Sequence, residues 1–349
     1  MTAAVQVAIH PSQFPENIRR DLLASLRTRR VNHKFHYDSV KQAQKWLALH
    51  EAHSPARYNQ GVLATYDQAF VEAAAQMKAG RIHVIGLGCG GGQKDVQLMK
   101  RLQVCGKNIS YTPCDVSVAM VLVARKAAMA FVSAGKCSPF VCDLATVPEP
   151  SELHAANHPS LVTFFGMIPN FEPDQILPKL ISLLCPQDFL LFSANLSPGN
   201  DYAAGMKTIL PQYDNPLTRD WLLAFLFDLG VESGDGRLQF AIETGRRGLL
   251  RVVARFHFVR TRRLRVSGQD FSFMRGEAIR LFFSYRYTPE RVARSLERNG
   301  LEVCGQWIAA SSEEGVFLCR KAGRARPAPS ESKSRPVSPA RYSLCPAPP

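Results

Sequence analysis

Residues 81–95 read RIHVIGLGCGGGQKD. Ile82, Val84 and Ile85 form an apolar, β-branched run that favours a strand. The run ends in Gly86-Leu87-Gly88-Cys89-Gly90-Gly91-Gly92. A helical pattern follows at once, with Val96, Met99, Leu102 and Val104 on one side. Strand, glycine turn and helix in that order form the first βα unit of a nucleotide-cofactor site. Glycine admits positive φ and lets the backbone pass close to a ligand. The helix N-terminus offers free N–H groups to a polar or anionic ligand.

The same rhythm continues downstream. Residues 109–112 predict a second strand, and Asp115 stands just past its end. That is close to the roughly twenty-residue separation at which an acidic side chain meets a ribose hydroxyl pair. A helix is predicted from Ser117, a good N-cap, through Met120, Val123 and Phe131 to Gly135. A third strand, 139–142, ends in Asp143, and a fourth, 161–165, ends in Gly166-Met167-Ile168-Pro169-Asn170. Four strand ends thus carry polar or glycine residues at one edge, where open parallel sheets bind ligands. The fold class expected is α/β with a Rossmann-like sheet.

Gly88, Gly90 and Gly92 alternate, which departs from the GxGxxG dinucleotide pattern. Alternating glycines suit S-adenosylmethionine (SAM), which has no pyrophosphate to hold; NAD is the alternative. On the SAM reading the glycine loop touches the methionine part, Asp115 holds the ribose hydroxyls and Asp143 takes the adenine amino group.

The 349 residues suit two domains, or one with an insertion. No run of about twenty apolar residues occurs, so no membrane span is predicted. The first residues lack the charged start and apolar stretch of a secretory signal. The nine cysteines are scattered without a CxxC pair, so neither a zinc site nor a disulfide framework is expected. A reducing cytoplasm fits that usage. The formal charge of +14 is partly local. From Arg320 onward seven basic residues face only Glu331, in a Pro/Ser/Arg-rich segment that predicts disorder over 322–349. A second basic cluster comprises Arg246, Arg247, Arg251, Arg255, Arg260, Arg262, Arg263 and Arg265, with no acid among them. It reads as a solvated sheet face or as a surface for RNA or another polyanion.

Five blocks, in consistent order, resemble one known family. Residues 35–55, FHYDSVKQAQKWLALHEAHSP, are similar to its FYD opening and the EYYPT motif beyond. Residues 161–170 resemble its VFLGSTIGNL stretch, and 190–195 its LLLGTDL. Tyr213-Asp214-Asn215, followed by the helical 221–227, resembles its AYDDAAGVTAAFNRN. Residues 284–300, SYRYTPERVARSLERNG, resemble SCKFRPENVVAELAEAG. The family is that of the SAM-dependent L-histidine Nα-methyltransferases of ergothioneine biosynthesis, and the resemblance covers 15–320. The same fold family includes methyltransferases acting on tryptophan-type amines.

The resemblance implies a class I methyltransferase sheet with a second, smaller α+β substrate domain. The substrate domain would comprise 1–58 and 197–288; the SAM-binding domain, 59–196 and 289–321. It assigns Gly88, Gly90 and Lys94 to the SAM loop, and Asp115 and Asp143 to ribose and adenine. It assigns Asn170 and Tyr213 to the substrate's amino and carboxylate groups, Tyr37 to the same site, and Ser284 to the imidazole. On the residues alone, Asn170 equally suits a helix cap and Tyr213 a surface turn.

Three departures stand out. The acidic residue expected two positions before Gly88 is Gly86. The EYYPT block reads Glu51-Ala52-His53-Ser54-Pro55, which puts His53 forward as the replacement for a substrate-facing tyrosine. The glutamate that reads the family's imidazole is Phe282. The expected function is N-methylation of the amino group of an amino acid or small amine, with histidine a poor candidate. The alternatives are an RNA or protein methyltransferase and an inactive SAM-binding protein.

Overall fold

The computed structural model describes residues 4–147, 153 and 158–323, so the predicted basic tail lies almost wholly outside the described residues. The chain opens with β1 (Ala8–Ile9), α1 (Pro15–Thr28), α2 (Val40–His53), α3 (Pro55–Tyr58) and α4 (Gln60–Gln76). Strands and helices then alternate: β2 (Arg81–Leu87), α5 (Gln93–Val104), β3 (Asn108–Asp115), α6 (Val118–Ala128), β4 (Phe140–Val141), β5 (Ser160–Phe164), α7 (Pro173–Ser182) and β6 (Phe189–Asn195). The rhythm breaks at α8 (Tyr202–Tyr213) and α9 (Pro216–Asp228). Five strands follow: β7 (Gly236–Thr244), β8 (Leu250–Phe258), β9 (Arg262–Val266), β10 (Gln269–Phe273) and β11 (Ala278–Tyr285). The chain returns through α10 (Pro289–Arg298) to β12 (Leu301–Ile308) and β13 (Glu314–Lys321).

The main sheet has eight strands in the order β1-β4-β3-β2-β5-β6-β13-β12. Its pairs run parallel from β1 to β6, and β13 lies antiparallel to both β6 and β12. The quoted strand, β2, is central and buried from Ile82 onward. A parallel strand covered on both faces needs apolar residues on both. Ile82 and Val84 enter one core cluster; Ile85 and Leu87 enter the other. The period of two thus sends neighbouring residues to opposite sides of the sheet.

Most elements fall where the sequence predicts them. Ser117 caps α6, accepting from Met120 N at 3.4 Å. The helix is shorter than expected, ending at Ala128. Beyond it the chain turns so that Val132 and Cys137 bury beside Tyr111 in the same cluster. The third strand shrinks to Phe140–Val141. Thr288 caps α10, accepting from Arg291 N at 3.3 Å, Pro289 opens it, and Val292 and Leu296 bury its inner face.

The residues between β6 and α10 build a three-stranded antiparallel sheet, β11-β8-β7, and a separate β10-β9 hairpin. One face of the three-stranded sheet packs on α9 and α1 in a third core, where Trp221, Phe225, Leu26, Ala254 and Phe256 meet. The N-terminal segment is tied in further by Val31 N donating to Arg280 O and Arg280 N donating to Arg29 O, both at 2.9 Å.

The arginine cluster is not a bare basic stripe. Arg246 and Arg251 pair with Glu172, Arg247 with Asp174, Arg255 with Glu243, and Arg265 with Asp270. Arg260 and Arg262 both pair with Glu232 and Asp235. Folding thus supplies the acids that the local sequence lacks.

Candidate active site

The C-terminal ends of β2, β3, β4 and β5 open onto one groove. Gly88, Gly90 and Gly92 hold φ of +61°, +51° and +75°. A side chain at 88 would overlap the Met167 side chain, and one at 90 would come within 3.1 Å of the Trp46 ring. One at 92 would come within 2.9 Å of Ala124 Cα, so all three alternating glycines are needed for conformation and for clearance alike.

Asp115, at the end of β3, clamps this loop. Its Oδ2 accepts from Gly90 N at 3.1 Å, and its Oδ1 from Ser117 N at 3.0 Å. Burial pushes its carboxyl up to about 6, against the opposing pull of these N–H groups and that of Val116. Asp143, past β4, is 4% exposed. Its Oδ1 accepts from Ala145 N at 2.9 Å, while its Oδ2 is buried with no hydrogen bond and sits 3.5 Å from Lys34 Nζ. Both carboxylates line one cavity with Gly88, Gly90 and Met120.

Next to it lies a cavity of about 690 Å³ on the other side of the glycine loop. Lys94 lines it, from the first turn of α5. Its Nζ donates to Tyr66 Oη at 2.5 Å, and Tyr66 Oη donates to Glu314 Oε1. Burial lowers the Lys94 pKa, and the Glu314 carboxylate pulls it back up.

A third pocket, of about 180 Å³, is aromatic. Trp221 and Tyr37 have ring centroids 5.4 Å apart, and Phe282 stands 5.7 Å from Trp221 and 6.4 Å from Tyr213. Tyr213 Oη donates to Ser284 Oγ at 3.0 Å and accepts from Arg286 Nε at 3.1 Å. Arg286 is buried, its Nη1 donating to Leu196 O at 3.0 Å and Glu313 O at 3.2 Å. Trp221 Nε1 donates to His36 O at 2.7 Å. A register shift between Arg280 and Phe282 marks a β-bulge in β11. Phe282 enters the aromatic core and Phe283 the opposite one, so a single phenylalanine faces the pocket.

All three cavities meet at Tyr37, Trp46 and Asn170. Tyr37, Gly88, Gly90, Lys94, Asp115, Asp143, Asn170, Tyr213, Phe282 and Ser284 each line at least one of them. Asn170 ends a short 3-10 turn, while Glu172 is the N-cap of α7, so Asn170 is not that helix's cap. Tyr213 closes α8 and does not occupy a surface turn. His53 is exposed at the end of α2 and lines none of the three, as a solvated histidine would. Trp46 and His50, one turn apart on that helix, line the groove, their rings stacked at 4.8 Å. Burial lowers His50 to about 4, so its imidazole is neutral near pH 7.

The family profile described as histidine-specific methyltransferase, SAM-dependent, matches residues 18–216 and 247–321, well over half of the chain. The chain belongs to this family. SAM is accordingly its cofactor, and the NAD alternative falls away. Curated proteins gave no match in sequence. Among solved structures the chain is similar to the CcbJ methyltransferase from Streptomyces caelestis, with TM-score 0.38 and 13% identity over 74% of this chain and 90% of that one. It is similar to the glycopeptide N-methyltransferase MtfA, with TM-score 0.35 and 12% identity over 73% and 93% of the two chains. It is also similar to CalS10, an amino pentose methyltransferase from Micromonospora echinaspora, with TM-score 0.39 and 14% identity over 78% and 97%.

The residues present fit SAM. A buried Asp143 oxygen without a hydrogen bond, a second carboxylate at the next strand end and a glycine loop that would not tolerate side chains are what such a ligand requires. The cavities are also framed by residues that the sequence reading passed over. Trp46 and His50 share one helical face, a spacing readable in the 35–55 block. Trp221, His33 and Arg286 carried no local signal. His33 packs 5.3 Å from Phe282, and burial holds its pKa far below the ordinary histidine value. No helix of the described residues is long and apolar enough to cross a membrane, and no metal-binding group occurs among them.

Proposed function

We propose that the chain N-methylates the amino group of a small amine or amino acid whose body is aromatic or apolar. One observation carries this reading: the aromatic pocket has no charged residue among its described lining groups, and Phe282 stands where the family places the carboxylate that reads imidazole. An imidazole N–H that relies on that carboxylate loses its charged partner there, at about 1–3 kcal/mol. An apolar ring gains contact with Phe282, Trp221 and Tyr37 instead.

When bound, SAM supplies an electrophilic methyl group on a sulfonium. The protein positions and desolvates. Asp115 takes the ribose hydroxyls, Asp143 Oδ2 the adenine amino group, and the glycine loop with Lys94 the methionine end. Asn170 leads from this groove into the aromatic pocket, and the structure spends none of its side-chain amide on described partners. Its amide oxygen accepts an N–H of the incoming amine and turns the lone pair toward the groove. Tyr213, held by Arg286 and Ser284, fixes the rest of the substrate. An attacking amine must be neutral, because an ammonium has no lone pair. A closed pocket without a carboxylate favours the neutral form, since burial penalises the charged one.

The test is incubation of the chain with methyl-labelled SAM and a cell extract, followed by mass spectrometry. Label on a small aromatic or apolar amine is expected. Label confined to RNA or protein would count against the reading.

A pH dependence follows from Asp115. Its carboxyl titrates at about 6, so it is ionised at neutral pH and protonated below. Only the ionised form gives charge-assisted bonds to the ribose hydroxyls. Affinity for S-adenosylhomocysteine is expected to be full above that value and to fall roughly tenfold as the pH drops to 5. Calorimetry giving the same affinity at pH 5 and pH 7.5 would remove Asp115 from the ribose site.

A further inference from the structure

The end of β2 lacks the carboxylate that the family places at position 86, yet that space is filled. A Cβ built on Gly86 would overlap Asp95 Oδ2 and stand 3.1 Å from Asp95 Cγ and from Tyr111 Oη. Asp95 belongs to the first turn of α5, not to the strand. It is 3% exposed, and it accepts from Tyr111 Oη and from Thr163 Oγ1, each at 2.7 Å. A carboxylate oxygen has two lone pairs, so each oxygen keeps one unused. The side chain lines the same cavity as Gly88, Lys94 and Thr163.

The two positions depend on each other. An acidic residue at 86 would collide with Asp95 and place two carboxylates in one buried space, where like charges oppose joint ionisation. Glycine at 86 is therefore the partner change that Asp95 requires. The cavity wall now carries an ammonium from Lys94 and a carboxylate from Asp95, on adjacent residues. The amino-acid end of SAM is a zwitterion and has the complementary pair of charges.

We infer that Asp95 is a cofactor-binding carboxylate that holds the α-ammonium of SAM from helix α5, in the space beside Gly86 where the family has a strand carboxylate. This rests on the methionine end lying beside the glycine loop and Lys94, as proposed above. A purely structural Asp95 would only tie β3 to β5 through Tyr111 and Thr163, and would be indifferent to the ligand's amino group.

Calorimetry on the full chain separates the two. Three ligands are compared: S-adenosylhomocysteine, its analogue lacking the α-amino group, and 5′-methylthioadenosine, which lacks the whole amino-acid end. The unmodified chain is expected to prefer S-adenosylhomocysteine over the desamino analogue by about ten- to a hundredfold. Asp95→Asn should erase that preference while leaving the other two ligands unchanged. Equal loss for all three ligands, or a preference that survives, overturns the inference. Should Asp95→Asn fail to fold, the double variant Gly86→Asp/Asp95→Ser moves the carboxylate back to the strand. It is expected to regain the preference, and a folded double variant without it also overturns the inference. Lys94→Gln isolates the underlying reading: if it weakens 5′-methylthioadenosine as much as S-adenosylhomocysteine, the methionine end is not at Lys94 and the inference falls with that placement.

Discussion

Replacing Lys34 by methionine is expected to cost the fold about 3–5 kcal/mol at pH 7, the usual penalty for breaking a buried ion pair from one side. Lys34 is 3% exposed. Its Nζ donates to Asp21 Oδ2 at 2.6 Å and lies 3.5 Å from Asp143 Oδ2. One ammonium thus serves a carboxylate on α1 and another beside the cofactor groove. Methionine keeps the bulk of the side chain and removes the charge, so packing is largely held constant while two buried acids lose their cation. Arg20 remains 3.0 Å from Asp21 Oδ1 and softens the loss there, while for Asp143 the next cation, Lys179, acts from beyond ion-pair distance. Urea unfolding at pH 7 measures the loss. A loss below about 1 kcal/mol at pH 7, typical of solvent-exposed pairs, would mean that water reaches these groups and the pair is not truly buried.

That contact also marks where sequence reading stops. Asp143 was legible, because it stands at a strand end in a repeated βα pattern with a stereotyped spacing. Lys34 was not, since it lies more than a hundred residues earlier and no local pattern announces a pairing across that distance. The same division holds throughout. β2, the glycine turn and the start of α5 follow from period, turn chemistry and capping, which are local. β7 carries a charged, mixed pattern and its pairing is decided by tertiary contact, while the β9-β10 hairpin closes locally on Ser267-Gly268, both at positive φ. The arginine cluster looked like a candidate polyanion surface because its carboxylate partners lie outside it: Glu172 and Asp174 far upstream, Glu232, Asp235 and Glu243 just before it, and Asp270 just after.

The site shows the same limit at higher resolution. Family resemblance located Tyr37, Asn170, Tyr213 and Ser284, and the fold brings them to adjoining cavities. It did not show that Arg286 orients the Tyr213 hydroxyl, or that Trp46 and Trp221 complete the aromatic wall. Nor did it show what fills the space at Gly86. A departure from a motif reads as a loss in one dimension; in three, a neighbouring helix supplies another carboxylate.

Phe282→Glu is expected to shift substrate preference toward histidine, and the unmodified chain is expected to turn over free histidine poorly. Specificity for a hydrogen-bonding ring needs a placed polar partner. Without one, the buried ring N–H costs roughly 1–3 kcal/mol, which is about tenfold to a hundredfold in kcat/KM. Position 282 is suited to supply that partner. It shares the pocket-facing side of β11 with Ser284, two residues on, and both line the aromatic pocket. The Tyr213 hydroxyl that bonds Ser284 is fixed by Arg286, so a polar frame for the ring is already in place. In the absence of substrate the new carboxylate would stand among Trp221, Tyr213 and His33 and destabilise the fold by about 1–3 kcal/mol. The measurement compares kcat/KM for histidine, tryptophan and tyrosine in both proteins. The unmodified chain should favour the aromatic bodies, and Phe282→Glu should narrow or invert the ratio. Efficient methylation of histidine by the unmodified chain would show that another group reads the imidazole. His33 is one such group, its ring 5.3 Å from Phe282 and both its nitrogens buried without a hydrogen-bond partner.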